Sequence, residues 1–224
     1  MKISIIGAGM VGSATAFSLL HELEPDEIAL IDILKNLAEG QALDLNHAAV
    51  GMKKKTKVFG GDDYDLVGGS DYVVITAGRA RKSGETREQL LDFNEKILEE
   101  VCEKIKNFCD NPKVIVVTNP STEMTAVCKK YFEKVLGMEN QLDTARLKFL
   151  VSGETGIPAE KVKSFVEGGH GEGMNVNFLE KLSEEQKKRI SEKLKNAGAE
   201  IIEKKGHSSC WGIAAQIAKA IKSF

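Results

Sequence analysis

A histidine set among glycines, a carboxylate three residues ahead of an arginine, and a loop rich in arginine are the features of this chain best suited to moving a proton or holding an anion. His170 sits in Glu167-Gly-Gly-His-Gly-Glu-Gly173, where neighbouring bulk does little to shield it. An imidazole changes charge near neutral pH and can serve as acid or base, although a lone loop histidine is more often structural or idle. Asp143 and Arg146 share one helix face in Gln141-Leu-Asp-Thr-Ala-Arg-Leu147. Taken alone they are an intrahelical ion pair worth roughly a few tenths of a kcal/mol. Residues 77–87, Ala-Gly-Arg-Ala-Arg-Lys-Ser-Gly-Glu-Thr-Arg, carry four basic side chains. Such a loop is either a solvated surface or, at the carboxyl end of a parallel strand, a ligand contact. Asn119, ahead of Pro120 at the end of an apolar run, is either a turn former or a polar group facing the same crevice.

These residues need a scaffold that gathers them, and the first 32 residues define one. Lys2 to Ile6 reads as a buried strand. It breaks at Gly7-Ala-Gly-Met-Val-Gly12, after which Ala14, Ala16, Phe17, Leu19 and Leu20 read as the packed face of a helix. A second strand, Ile28 to Ile31, ends on Asp32, twenty residues beyond Gly12. This strand–turn–helix–strand unit with G-x-G-x-x-G reads as a dinucleotide cradle. Gly7 permits the tight turn, Gly9 lets a pyrophosphate approach the backbone, and Gly12 lets helix and strand pack closely. The helix N-terminus offers free N–H groups to the phosphates. Asp32 can accept hydrogen bonds from a ribose diol and repels a 2′-phosphate, favouring NAD over NADP. Lys35 could accommodate that phosphate, so NADP is a secondary expectation.

Downstream, β and α segments keep alternating. A helix spans about 34–50, strands 57–60 and 71–76, a helix 88–108, and a strand 114–118. Leu90, Leu91, Phe93, Ile97, Val101 and Ile105 form the expected core face of the long helix. The pattern predicts an α/β fold: a Rossmann-type doubly wound parallel sheet over residues 1–120, followed by an α+β domain over 121–224. In that second part we expect a strand at 162–166, then a charged helix at 183–205 whose apolar stripe is Ile190, Leu194, Ala197 and Ile201. An apolar helix closes the chain. With 42% hydrophobic residues, 29% charged residues and a net charge of −2, there is no basic footprint for nucleic acid or anionic lipid. No apolar run approaches a membrane span, and the N-terminus shows no signal-peptide pattern. Cys102, Cys109, Cys128 and Cys210 form no C-x-x-C pair, which suits buried or free thiols in a reducing cytoplasm.

The strings GAGMVGSATA, LID, ALDLNHA, VVITAGRARKSGETR, VVTNP, QLDTARLK, GGHGEG and IIEKKGHSS, in this order, resemble the lactate/malate dehydrogenase family, with archaeal malate dehydrogenases most similar. The resemblance implies hydride transfer between a nicotinamide and C2 of a 2-hydroxy or 2-oxo acid. It implies His170 as the acid/base, Asp143 as the acceptor that orients it, and Arg146 as the grip on the C1 carboxylate. Arg87 would polarise the C2 carbonyl as its loop closes, and Asn119 would bind substrate and order the site. Arg81 would pair a C4 carboxylate, which favours malate over lactate. The implied cofactor contacts are Gly7, Gly9, Met10, Val11, Gly12 and Asp32 from the first unit. Thr76, Ala77, Gly78, Asn94, Val117 and Asn119 complete them.

Some positions depart from the pattern. Thr122 stands where the family usually has Asp, Glu139 where glycine is expected, and Glu172-Gly173 where Asp-Ser is usual. Gly84-Glu85-Thr86 reads like the lactate branch. Family members continue for several tens of residues beyond Phe224, so the resemblance makes the substrate domain incomplete. Phe165, Ile217, Ile221 and Phe224 are then expected to lack cover and to favour self-association into a dimer or tetramer. The leading expectation is a cytoplasmic NAD-dependent malate dehydrogenase acting on a small-molecule substrate, with no metal, nucleic acid or membrane partner. The alternatives are a lactate-type 2-hydroxy acid dehydrogenase and a catalytically impaired NAD-binding paralogue or fragment.

Overall fold

The computed structural model describes residues 1–79, 86–169 and 173–224, with residue 87 described by its backbone alone. Strand and helix alternate from the start: β1 (Lys2–Ile6), α1 (Met10–Glu22), β2 (Glu27–Ile31), α2 (Lys35–Gly51), β3 (Lys57–Gly61) and β4 (Tyr72–Ile75). Then come α3 (Arg87–Phe108), β5 (Lys113–Val116), α4 (Ser121–Cys128) and β6 (Val135–Gly137). These six strands form one parallel sheet in the order β3-β2-β1-β4-β5-β6. The order reverses direction at β1, whose neighbours are β2 and β4, and in open sheets of this kind ligands bind at the carboxyl ends of the strands at such a reversal.

Both faces of this sheet are apolar because successive side chains alternate between them. Ile6, Ala29, Ile31, Val73, Ile75, Val114 and Val116 point to one face, where Leu98, Val101, Cys102 and Ile105 of α3 and Met124, Val127 and Cys128 of α4 cover them. The intervening Ile3, Ile5, Ile28, Leu30, Val74 and Ile115 are equally buried on the other face. Each fully buried branched side chain contributes about 1.5–3 kcal/mol. The outer edge at β3 is partly closed by Asn46, whose amide accepts from Val58 N–H (3.0 Å) and donates to Val58 O (2.7 Å).

The chain divides into two compact units, Met1–Met138 with Ile217–Phe224, and Glu139–Gln216. The expected division at residue 120 therefore moves: β6 pairs with β5 and keeps the stretch through Met138 in the first unit. The second unit contains α5 (Gln141–Thr155), β7 (Phe165–Gly168), β8 (Met174–Asn177), α6 (Glu184–Lys205) and the start of α7 (Trp211–Ser223). β7 and β8 pair antiparallel, and Leu147, Val151, Val162, Val166, Ile190 and Leu194 form this unit's core.

Three other expectations change. The strand expected at 162–166 starts later, because Glu180 takes the backbone N–H of Lys163 and the hydroxyl of Ser164, drawing these residues out of the ladder. Phe17 and Phe93 are exposed by 46% and 45%, so neither is a core residue. Phe93 instead lies under the Arg79 guanidinium, 4.2 Å from the ring centroid. Ile217 and Ile221 are buried, contrary to the expected uncovered patch, and Phe165 and Phe224 are half-buried. In the first unit the end of α7 is tied down by hydrogen bonds from Tyr72 Oη to Ile221 O (3.4 Å) and from Lys113 Nζ to Phe224 O (2.9 Å). Among the described residues no helix is long and apolar enough to cross a membrane.

Candidate active site

In the first unit the candidate residues lie on the loops leaving β1, β2, β4 and β5 and on the elements that brace them. Gly7 takes φ +102°, in the region that favours glycine. Its N–H donates to Ile31 O at 2.7 Å, which binds the turn to the next strand. Gly12 explains itself by contact: a Cβ there would lie 1.8 Å from Gly7 O. Gly9 is the opposite case, since a Cβ on it would have nothing within 4 Å. Gly9 also precedes α1 without any side-chain cap, so the helix begins with N–H groups directed to the open side. Met10, half exposed, and Val11 form the first turn.

Asp32 follows β2. Its Oδ2 accepts Ala8 N–H (2.7 Å) and its Oδ1 accepts Leu34 N–H (2.9 Å), so the carboxylate is held against the glycine turn. These residues fit a dinucleotide: an open backbone cradle for the diphosphate, an uncapped helix end to face it, and a fixed carboxylate at the neighbouring strand end.

Thr76, Ala77 and Gly78 leave β4. The Thr76 hydroxyl lies 3.0 Å from Gly7 O and 3.1 Å from Ile6 O, fastening this loop to the glycine turn. Gly78 takes φ +145°, and a Cβ there would meet Thr118 Cγ2 at 2.5 Å. Thr118 also donates to Ala77 O at 2.6 Å, while Val117 N–H donates to Ile75 O at 2.9 Å. Asn94, on α3 and buried, joins the two loops: it accepts Arg79 N–H (3.0 Å) and donates to Asn119 O (2.7 Å). The family resemblance implies Asn94 as a cofactor contact; in the structure it clamps the two loops together. Thr118 escaped notice in the sequence, where a threonine ending a strand is commonplace. Within this unit the predicted residues Gly7, Gly9, Met10, Val11, Gly12, Asp32, Thr76, Ala77, Gly78, Asn94, Val117 and Asn119 thus belong to loops at one sheet edge and the elements that brace them.

The second unit carries Asp143 and Arg146 on α5. Arg146 Nη1 donates to Asp143 Oδ1 at 3.0 Å, with the side chains only 14% and 2% exposed. Burial changes the meaning of the pair: it is a desolvated ion pair, not a surface one. Arg146 Nε is buried and has no hydrogen-bond partner among the described residues. Gly198 of α6 leaves room beside the guanidinium, its added Cβ falling 3.8 Å from Nη1. Arg81 and His170 lie outside the described residues, as does the side chain of Arg87, whose backbone opens α3 behind a Thr86–Gln89 capping box. No group of His, Cys, Asp and Glu that could hold a metal occurs among the described residues.

The strand order and the glycine cradle define a Rossmann-type dinucleotide-binding protein. Residues 1–136 match the lactate/malate dehydrogenase NAD binding domain, and residues 140–224 match the lactate/malate dehydrogenase α/β C-terminal domain. The malate dehydrogenase of Caldivirga maquilingensis is 39% identical over 236 residues, covering 99% of this chain and 76% of the relative. An L-lactate dehydrogenase of Kosmotoga olearia is 37% identical over 246 residues, covering 100% and 76%. The structure of Archaeoglobus fulgidus malate dehydrogenase in complex with NADH superposes with a TM-score of 0.91 at 38% identity, covering 100% of this chain and 77% of that one. The chain belongs to the lactate/malate dehydrogenase family, and its first domain is that family's NAD-binding domain.

Proposed function

We propose that this chain interconverts malate and oxaloacetate with NAD. The observation that carries the reading is the buried Asp143–Arg146 pair, with a guanidinium Nε that lacks a partner among the described residues. A buried polar group left unsatisfied costs about 1–3 kcal/mol, and a substrate carboxylate taking the free side of the fork would remove that cost. Bound NAD supplies the hydride acceptor, and NADH the donor, at the nicotinamide ring. Arg146 fixes the C1 carboxylate, so C2 is presented in one orientation. As the C2–H is lost as hydride, His170 takes the hydroxyl proton; in reduction it returns that proton to the carbonyl oxygen. Asp143 accepts the other ring N–H, setting the tautomer and stabilising the imidazolium. Arg87 polarises the C2 oxygen, and Asn119 hydrogen-bonds the substrate.

Arg81 carries the choice of substrate. A second guanidinium can pair a C4 carboxylate that would otherwise be desolvated alone, at a cost of several kcal/mol. The lactate-type reading is favoured by Gly84-Glu85-Thr86 and by the similarity to an L-lactate dehydrogenase. Steady-state NADH oxidation with oxaloacetate and with pyruvate, on protein of verified intact mass, separates the readings. Oxaloacetate turnover well above pyruvate supports malate, and Arg81→Gln then shifts preference toward pyruvate. NADH binding without turnover on either substrate would mean a binding protein instead. Turnover that survives His170→Asn unchanged would overturn the proposed acid/base.

A further inference from the structure

We propose that Asp62 enforces the preference for NAD by engaging Lys35, the cation three residues beyond Asp32 that could otherwise meet a 2′-phosphate; this rests on the NAD-binding reading of the first unit. β2 and β3 are parallel neighbours with Ile31 opposite Gly61, and Asp32 N–H donates to Gly61 O at 3.0 Å. Asp32 and Asp62 therefore leave adjacent strand ends together. Asp32 is fixed through both oxygens by Ala8 and Leu34 N–H groups, so the ribose-facing carboxylate cannot swing away. Lys35, the first residue of α2, is the first cation after Asp32 in the chain, and its Nζ lies 3.7 Å from Asp62 Oδ1. Asp63 and Asp65 follow on the same segment, with Asp63 accepting Asp65 N–H. A 2′-phosphate, close to doubly charged at neutral pH, thus meets Asp32 and an ammonium whose charge Asp62 already balances. Asp62 acts as a positioning residue through Lys35.

Both partners are more than half exposed, so solvent screens the pair and the effect is modest. The test is calorimetric titration of NADH and NADPH into the full chain, Asp62→Asn, and Asp62→Asn combined with Lys35→Gln. At low ionic strength Asp62→Asn should improve the affinity for NADPH relative to NADH by about fivefold, a gain that fades near 1 M salt. Adding Lys35→Gln should abolish it, whereas simple removal of negative charge would leave it in place. An unchanged NADPH-to-NADH ratio in Asp62→Asn, or a gain that persists without Lys35, overturns the proposal. If the unaltered chain shows no saturable NADH binding, the cofactor reading itself fails, an outcome visible before any variant is made.

Discussion

Two glycines three residues apart should respond to the same substitution in opposite ways. In Gly12→Ala the new methyl would sit 1.8 Å from Gly7 O, so reaching the 3.4 Å at which ordinary contact begins requires 3.4 − 1.8 = 1.6 Å of movement. The obstacle is backbone, held by the Gly7 N–H bond to Ile31 and by the Thr76 hydroxyl, so it cannot rotate aside. Overpacking of this kind costs about 1–3 kcal/mol, and the rigid neighbour places Gly12→Ala at the upper end. At about 2–4 °C per kcal/mol for a protein of this size, the melting midpoint should fall by about 6–12 °C. Gly9→Ala meets nothing within 4 Å, and its φ of −68° and ψ of −167° suit any residue. Its stability should hold or rise by about 0.4–1 kcal/mol through loss of chain entropy in the unfolded state. Yet the methyl occupies the space a diphosphate would need, and NADH affinity should drop by about tenfold or more. Thermal melts paired with fluorescence titration of NADH read both quantities. Wild-type NADH affinity in Gly9→Ala would refute the assignment of the cradle, and an undiminished melting point in Gly12→Ala would refute the close-packing argument.

Asn94→Ala strands the N–H of Arg79 and the carbonyl of Asn119, and should lower stability by about 2–3 kcal/mol in urea melts; no change would mean the clamp is dispensable. Asp143→Asn leaves the buried Arg146 charge without its partner, so we expect about 3 kcal/mol of destabilisation together with a collapse of turnover. Arg146→Lys keeps the charge but loses the planar fork, and its KM for oxaloacetate should rise by about tenfold if the fork holds the C1 carboxylate. Burial pushes the Tyr64 phenol up to about 12 from an ordinary value of 10. The fold favours the neutral phenol, so its contribution is intact below pH 10 and is lost as the pH rises toward 12, where the unfolded chain ionises first. Phenolate absorbance should show this late titration, and Tyr64→Phe should flatten the alkaline loss of stability. The Cys102 thiol is raised by its contact with Cys128, 3.6 Å away, and by burial. It should resist alkylation at pH 8 until the chain is unfolded, and rapid native labelling at Cys102 would contradict this.

Much of this protein is written in short-range patterns. The run Lys2–Ile6, the turn Gly7–Gly12 and the acid at Asp32 lie within one β-α-β unit, where strand alternation, helix spacing and the steric permissiveness of glycine act between near neighbours. The sequence thereby determines the sheet type, the cradle and the helix face shared by Asp143 and Arg146. Tertiary structure decides what periodicity does not encode: which strand ends become neighbours and which side chains lose water. Lys35 meets Asp62 only because β3 lies beside β2, and Asn94 reaches two loops only because α3 packs behind β4 and β5. The Asp143–Arg146 pair looks like any helical ion pair until folding buries it, and that desolvation is what the spacing of the two residues does not encode. Phe17 and Phe93 show the converse, since spacing alone would bury them and the packed fold leaves both about half exposed. The end of α7 is covered for the same reason, through Tyr72 and Lys113, which lie more than a hundred residues earlier in the chain.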